Sequence, residues 1–101
     1  MKSSVYPIEI RIHHEVDDVL NDNVDAEVVL SNGESRTVTF FTLRNIEQVL
    51  SRYKESGECL FGKYFWAKDL IIVESLDFEV IRKVVWDLVE SGEYEGALGR
   101  K

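Results

Sequence analysis

Residues 24–42 constrain the architecture more than any other stretch of this chain. Residues 24–30 alternate through Val24, Ala26, Val28 and Leu30, then Asn32-Gly33 follows, then a second extended run, Ser35–Thr42. Period-2 alternation buries one face of a strand, and Asn-Gly supplies the positive φ that a tight type I′ hairpin turn requires at both central positions. The pattern therefore predicts two antiparallel strands. In the returning strand Val38 and Phe40 point one way while Thr39 and Phe41 point the other, so both faces of the sheet carry some apolar surface.

The other elements follow from periodicity. Ile8, Ile10 and Ile12 alternate with Glu9, Arg11 and His13, a half-buried strand opened by Pro7. Val16, Val19 and Leu20 are spaced i, i+3, i+4, which allows either a short helical turn ending near Asn21 or an ordered loop. Ile46, Val49, Leu50 and Tyr53 form one helical stripe, with Thr42 or Asn45 as N-cap and Gly57 as the stop. Residues 63–75 read as extended chain in two pieces, an aromatic one (64–67) and an apolar one (Leu70–Val73), divided by a turn or bulge at Lys68-Asp69. Leu70–Val73 is apolar without alternation, which predicts burial on both faces and a central place in the sheet. A last helix begins after Ser75 or Asp77, carries Phe78, Ile81, Val84, Val85, Leu88 and Val89, and stops at Gly92 before a short polar tail.

The order β-(α or loop)-β-β-α-β-β-α predicts one α+β domain over residues 1–101, with a largely antiparallel sheet of about five strands and two main helices. Two helices cover two sheet faces only with difficulty, which points to a homodimer or a bound partner. Hydrophobic content of 45% gives the chain enough apolar area to offset its ordering entropy. With the single cysteine, Cys59, no internal disulfide can form. The N-terminal residues have no apolar signal core, and the longest strongly apolar run, Leu70–Val73, is far below the ~20 residues of a membrane span, so a cytoplasmic protein with no membrane segment is expected.

Charge is distributed unevenly. Between Ile12 and Ser35 stand seven carboxylates, Glu15, Asp17, Asp18, Asp22, Asp25, Glu27 and Glu34, with no Lys or Arg; elsewhere acids and bases balance, so the net charge of −7 is local. A field of one sign selects basic partners and repels phosphate backbones, which places nucleic acid last among partners.

No catalytic or cofactor motif accompanies this pattern, and no cofactor is expected. His13 and His14 precede the acids, and His14 with Asp18 could share a helical face, but two ligands fall short of the three that a catalytic zinc needs. Asn21-Asp22-Asn23-Val24-Asp25 starts like a calcium loop and then fails, with Ala26 where Gly is required and Asn32 where Glu is required. Cys59 stands in a plausible loop between Gly57 and Gly62, beside the acidic Glu58 and with no positioned base, so a packed or idle thiol is expected. Phe61, Tyr64, Phe65 and Trp66 imitate a base-stacking platform but lack its positive groove, so core packing of alternate rings explains them better. Trp86, at the edge of the last helix's apolar stripe, serves either as a core flank or as a desolvated partner anchor.

The stretch Gly57-Glu58-Cys59, then Tyr64-Phe65-Trp66-Ala67-Lys68-Asp69 running into Leu70–Val73 and the final helix, resembles a pattern in short uncharacterised bacterial proteins. The resemblance spans the C-terminal half and implies no activity or site residue. Small size and acidity are similar in kind to immunity proteins and toxin inhibitors. The leading expectation is a non-enzymatic module that masks a basic protein partner through Asp17, Asp18, Asp22, Asp25 and Glu27, anchored by Trp66 or Trp86. A homodimeric scaffold and a small enzyme using His14 with nearby carboxylates are the alternatives.

Overall fold

The computed structural model describes residues 4–101. Its elements are β1 (Pro7–Ile12), β2 (Asn23–Leu30), β3 (Ser35–Thr42), α1 (Leu43–Ser56), α2 (Glu58–Gly62), β4 (Leu70–Val73), α3 (Phe78–Ser91), α4 (Tyr94–Ala97) and β5 (Gly99–Arg100). They form an α+β fold around one five-stranded sheet in the order β1-β2-β3-β4, with β5 also on β3. The β1–β2, β2–β3 and β3–β5 pairs are antiparallel; β3–β4 is parallel, its crossover made through α1 and α2.

The hairpin forms in the expected register, Val24 opposite Phe40 and Ala26 opposite Val38. Its turn differs in detail. Gly33 has φ +90° and Asn32 does not share the positive φ, so the loop is three residues long: Gly33 N–H bonds Leu30 O, Leu30 N–H bonds Glu34 O, and Asn32 Oδ1 accepts from Glu34 N. The Asn side chain thus stabilises the turn without adopting the strained conformation itself.

Side-chain alternation decides which sheet face is covered. Val24, Ala26, Val28 and Leu30 of β2 and Val38 and Phe40 of β3 point to one face and meet Ile81, Val85 and Val89 of α3, which lie four residues apart on one helical stripe. Each of these side chains larger than Ala26 contributes on the order of 1.5–3 kcal/mol. Asp77 caps α3 by accepting from Glu79 N, and Gly92 ends it in the left-handed conformation. At α1 the cap is Thr42, which accepts from Asn45 N, and the stop is Gly57. Helix α1 packs against α2, a single left-handed turn through Cys59, Leu60 and Phe61, rather than over the sheet, and the molecule is elongated, 47 × 25 × 22 Å.

Three expectations are corrected. Residues 64–67 join no strand; the fifth strand is β5, because the chain after Gly92 turns back as α4 and buries Tyr94 and Leu98 instead of forming a polar tail. β4 is paired on one side only, with Ile72 54% exposed, so its apolar run does not mean burial on both faces. Of the two alternatives left open for residues 13–22, the structure takes the loop. Asp18 Oδ1 accepts from Leu20 N and Asp22 Oδ1 from Asn23 N, and such local side-chain bonds compete with helix formation.

Candidate protein-interaction surface

The acidic β1–β2 loop is tied down from three sides. Asn45, buried in the first turn of α1, accepts from Asn23 Nδ2 at 2.8 Å and donates to Asn21 Oδ1 at 3.3 Å. Thr42 Oγ1 lies 3.4 Å from both the amide and the carbonyl of Asp22. From the opposite side, Leu76 N–H donates to Val19 O at 2.7 Å. His14 closes the base through Nε2, 3.0 Å from Asn23 O, and is exposed. That imidazole nitrogen helps to hold the loop in place.

The seven carboxylates fall into two groups. Among the described residues, Glu15, Asp17, Asp18, Asp22 and Asp25 have no Lys, Arg or His within ion-pair distance, and all but the half-buried Asp22 are exposed. Asp25 faces the side of the sheet that α3 leaves open, where its Oδ1 accepts from Thr39 Oγ1 at 2.8 Å. Glu27 and Glu34 are neutralised within the fold. Glu27, its side chain only 6% exposed, is held by Lys101 Nζ at 2.8 Å and faces Arg11 Nη1 at 3.6 Å. The hydrogen bond from Lys101 holds its carboxyl below the ordinary range against the opposing cost of burial. Glu34 is paired with Arg36 at 3.1 Å. The charge offered to solvent is therefore the loop plus Asp25, and Glu27 is spoken for.

The open face is polar along most of its length, which explains why it needs no second helix. Glu9, Arg11 and Glu27 with Lys101 occupy one end; a groove of about 380 Å³ lined by His13, Asp25, Thr37, Thr39, Lys68 and Asp69 occupies the middle. The other end is apolar, with Phe65 tilted on Phe41 at 5.3 Å between ring centroids. Phe65 packs inward, so its neighbours Tyr64 and Trp66 turn outward, and Trp66 is 74% exposed, the most open large apolar side chain among the described residues. Trp86 lies elsewhere. It sits on α3, stacked on Tyr6 at 6.4 Å, beside a groove formed with Pro7, Ile8, Phe78 and Arg82. The two tryptophans thus have different surroundings: Trp86 lies in the groove between α3 and β1, and Trp66 follows the Phe65 ring that packs on Phe41.

Three residues that position this surface carry no sequence signal of their own. Asn45 reads as a helix cap but acts as a bridge to the loop. Asp69 reads as a turn residue but has φ +55° and accepts from Thr37 Oγ1 at 3.0 Å. Arg36 sits at an inward position of β3 and is 1% exposed. Cys59 is half-buried, and among the described residues no three His, Cys, Asp or Glu side chains are grouped to hold a metal. Also among the described residues, no helix is long and apolar enough to cross a membrane.

Fold and surface together define an α+β domain with one helix-covered sheet face, one open polar face and an acidic loop fixed at the sheet's end. No family model, no curated protein and no solved structure matches the chain.

Proposed function

We propose that this chain is a non-enzymatic protein-binding module of the cytoplasm that masks a basic surface on its partner, in the manner of an immunity protein or inhibitor. The observation that carries this reading is the acidic β1–β2 loop: carboxylates that are mostly exposed and, among the described residues, without a cation in ion-pair distance, held in place by Asn45, Thr42 and Leu76. A loop already ordered before binding loses little further entropy on docking, and its charge-assisted bonds to Lys and Arg are among the stronger polar contacts. Exposed Val19 and Leu20 lie beside Asp17 and Asp18, so the same loop offers apolar contact between its charges. Trp66 supplies a bulky exposed ring of the kind that dominates binding energy once desolvated. Steering by the acids accelerates encounter and weakens with salt.

The test compares wild type with the triple variant D17N/D18N/D25N as bait for native lysate at ~0.05 and ~0.5 M salt, conditions that bracket strong and weak screening. Asn keeps the acceptor oxygens used by Leu20 N–H and Thr39 Oγ1. A partner retained by wild type at low salt, and lost both at high salt and with the variant, is the expected result. Retention indifferent to salt and to the three substitutions would end the electrostatic mechanism.

A further inference from the structure

We infer that the outer edge of β1 is a self-association surface, and that its occupant is a second copy of this chain paired antiparallel about Ile10. The inference is independent of the acidic-loop reading.

Four observations carry it. First, β1 ends the sheet: among the described residues it pairs with β2 and with no strand on its other side. His13 N–H bonds Asp25 O, so by antiparallel alternation the backbone of Arg11 also turns toward β2, while the amides and carbonyls of Ile10 and Ile12 point to the free edge. An unpaired edge of this kind is a template for another strand.

Second, the sequence of the edge is charge-complementary to itself. Ile8-Glu9-Ile10-Arg11-Ile12 placed antiparallel against its own copy, with the two-fold axis at Ile10, sets Glu9 opposite the copy's Arg11 and Arg11 opposite the copy's Glu9. Opposite charges at directly facing positions stabilise a strand pair. A parallel arrangement would set like against like. Arg11 already bonds Glu9 of its own strand at 2.9 and 3.0 Å, and both side chains are about half exposed, so the exchange extends an existing ion pair across the axis.

Third, the flank of this edge is apolar. Ile8, the extra residue of an irregularity between Pro7 and Glu9, is 59% exposed, and it lines a groove of about 270 Å³ with Phe78, Arg82 and Trp86, one stripe of α3. Tyr6, exposed and stacked on Trp86, continues the patch. A two-fold axis through the edge brings each copy's stripe toward the other's. Contiguous exposed apolar surface of this kind marks an interaction site.

Fourth, the backbone devices that blunt a solvent-facing edge are confined to its beginning. Pro7 and the irregularity at Ile8 stand at the start of β1, and no lysine follows in Glu9-Ile10-Arg11-Ile12. The pairing-competent stretch is therefore short, which predicts a dimer that dissociates on dilution. The result is one continuous sheet, β4-β3-β2-β1 joined to its copy, with the two acidic loops leaving at opposite ends of the paired β1 strands.

Light scattering on a sizing column tests this with the full chain loaded from about 1 µM to 1 mM, the range in which modest interfaces associate. The expected mass rises toward twice 11.7 kDa for wild type. Ile8→Lys, a substitution at an exposed site, holds the chain at the monomer mass. Glu9→Arg and Arg11→Glu each do the same by facing like charges across the axis, and the double swap E9R/R11E restores the dimer. Circular dichroism verifies that each variant is folded. The inference is overturned by a wild type that remains monomeric to about 1 mM, by a dimer that Ile8→Lys or the single reversals leave intact, or by a folded double swap that stays monomeric.

Discussion

Asp69 occupies the space that a side chain at Gly99 would need. A Cβ built on Gly99 would fall within the Asp69 carboxylate. The same Asp69 accepts from Thr39 N–H through its carbonyl and from Thr37 Oγ1 through its carboxylate, both at 3.0 Å. It therefore sits where β4 and β5 meet, each pairing with a different half of β3: Leu70 opposite Thr39, Gly99 opposite Thr37. Two short strands fill one sheet position because a glycine faces an aspartate at their junction.

Gly99→Ala forces the Asp69 carboxylate aside, breaking its bond to Thr37 and loosening β5. The expected loss is about 1–3 kcal/mol, the range of a strained substitution that also strands a polar group. Gly96→Ala is the control: a Cβ there meets nothing, the residue is helical, and the change should be neutral or stabilising by up to about 1 kcal/mol. Urea denaturation midpoints of the two variants measure the difference. Equal effects would mean that the junction is not tight.

Arg36 ties the C-terminal residues to the sheet. Its Nη1 donates to Leu98 O at 3.1 Å and Glu95 O at 3.4 Å, its guanidinium lies 5.1 Å from the Tyr94 ring centroid, and Nε bonds Glu34. Nη2 is buried, 3.1 Å from Glu34 Oε2 as an ion pair and without a well-aligned hydrogen bond. Arg36→Ala should cost roughly 2–4 kcal/mol, somewhat below a fully buried pair because the partner Glu34 keeps contact with water. Arg36→Lys cannot reach both carbonyls and Glu34 together and should recover less than half. Thermal unfolding with fluorescence near Tyr94 reports both.

Asn45→Ala tests whether the acidic loop is held by α1. Removing the amide breaks the bonds to Asn21 and Asn23, an expected cost of about 1–2 kcal/mol. Amide exchange should accelerate in residues 17–23 while protection across β2 and β3 persists. Uniform loss of protection would instead make Asn45 a general core residue.

How much of this was legible before the structure depends on the range of the interaction. The hairpin, α1, α3 and their caps follow from local chemistry, since Thr42, Gly57, Asp77 and Gly92 act within a turn of where they stand. What escaped depends on residues distant in sequence. Leu70–Val73 has the composition of a central strand, yet the sheet ends there because β5 and β4 share one edge of β3. The tail after Gly92 looks polar because its two anchors, Tyr94 and Leu98, are separated by Glu95, Gly96 and Ala97, and Arg36, some sixty positions earlier, bonds the carbonyls of Glu95 and Leu98. For the surface, the charge asymmetry located the loop, but neutralisation of Glu27 by Lys101 spans 74 residues and leaves no trace in composition.

Stability should depend on acid in a defined direction. The carboxyls of Glu27, Glu9 and Glu79 all lie below their ordinary value because each accepts a hydrogen bond from a cation: Lys101, Arg11 and Arg82 respectively. Between the folded and unfolded pKa values the unfolded chain binds more protons, so unfolding free energy rises with pH there. The contribution is complete above the unfolded carboxylate value of about 4.3 and is lost as pH falls through the folded values. Urea midpoints should decline below about pH 4.5. Glu27→Gln should lower the neutral plateau, flatten the acid limb and converge on wild type near pH 2. Added salt should weaken the exposed Glu9 and Glu79 pairs more than the enclosed Glu27. A Glu27→Gln curve parallel to wild type at every pH would remove the ion pair from the account.

The turn after α1 stores backbone strain that glycine should release. Cys59, Leu60 and Phe61 have φ of 49°, 55° and 56° with ψ near 50°, one left-handed helical turn made of L-residues. Each such residue costs roughly 1–2 kcal/mol. The turn persists because it lays Gly62 flat against α1, where a Cβ would collide with the Leu50 carbonyl and lie 2.8 Å from Lys54 Cγ. Leu60 is exposed and gives little packing in return. Leu60→Gly should therefore stabilise the fold by about 1 kcal/mol, since glycine adopts positive φ without a Cβ penalty. Leu60→Ala keeps the strain and should stay within about 0.5 kcal/mol of wild type. Phe61→Gly should gain less, because the Phe61 ring packs against Gly57. Guanidinium denaturation of the three variants gives the order. Destabilisation by Leu60→Gly would show that the Leu60 side chain holds the turn in place, and the strain argument would fail with it.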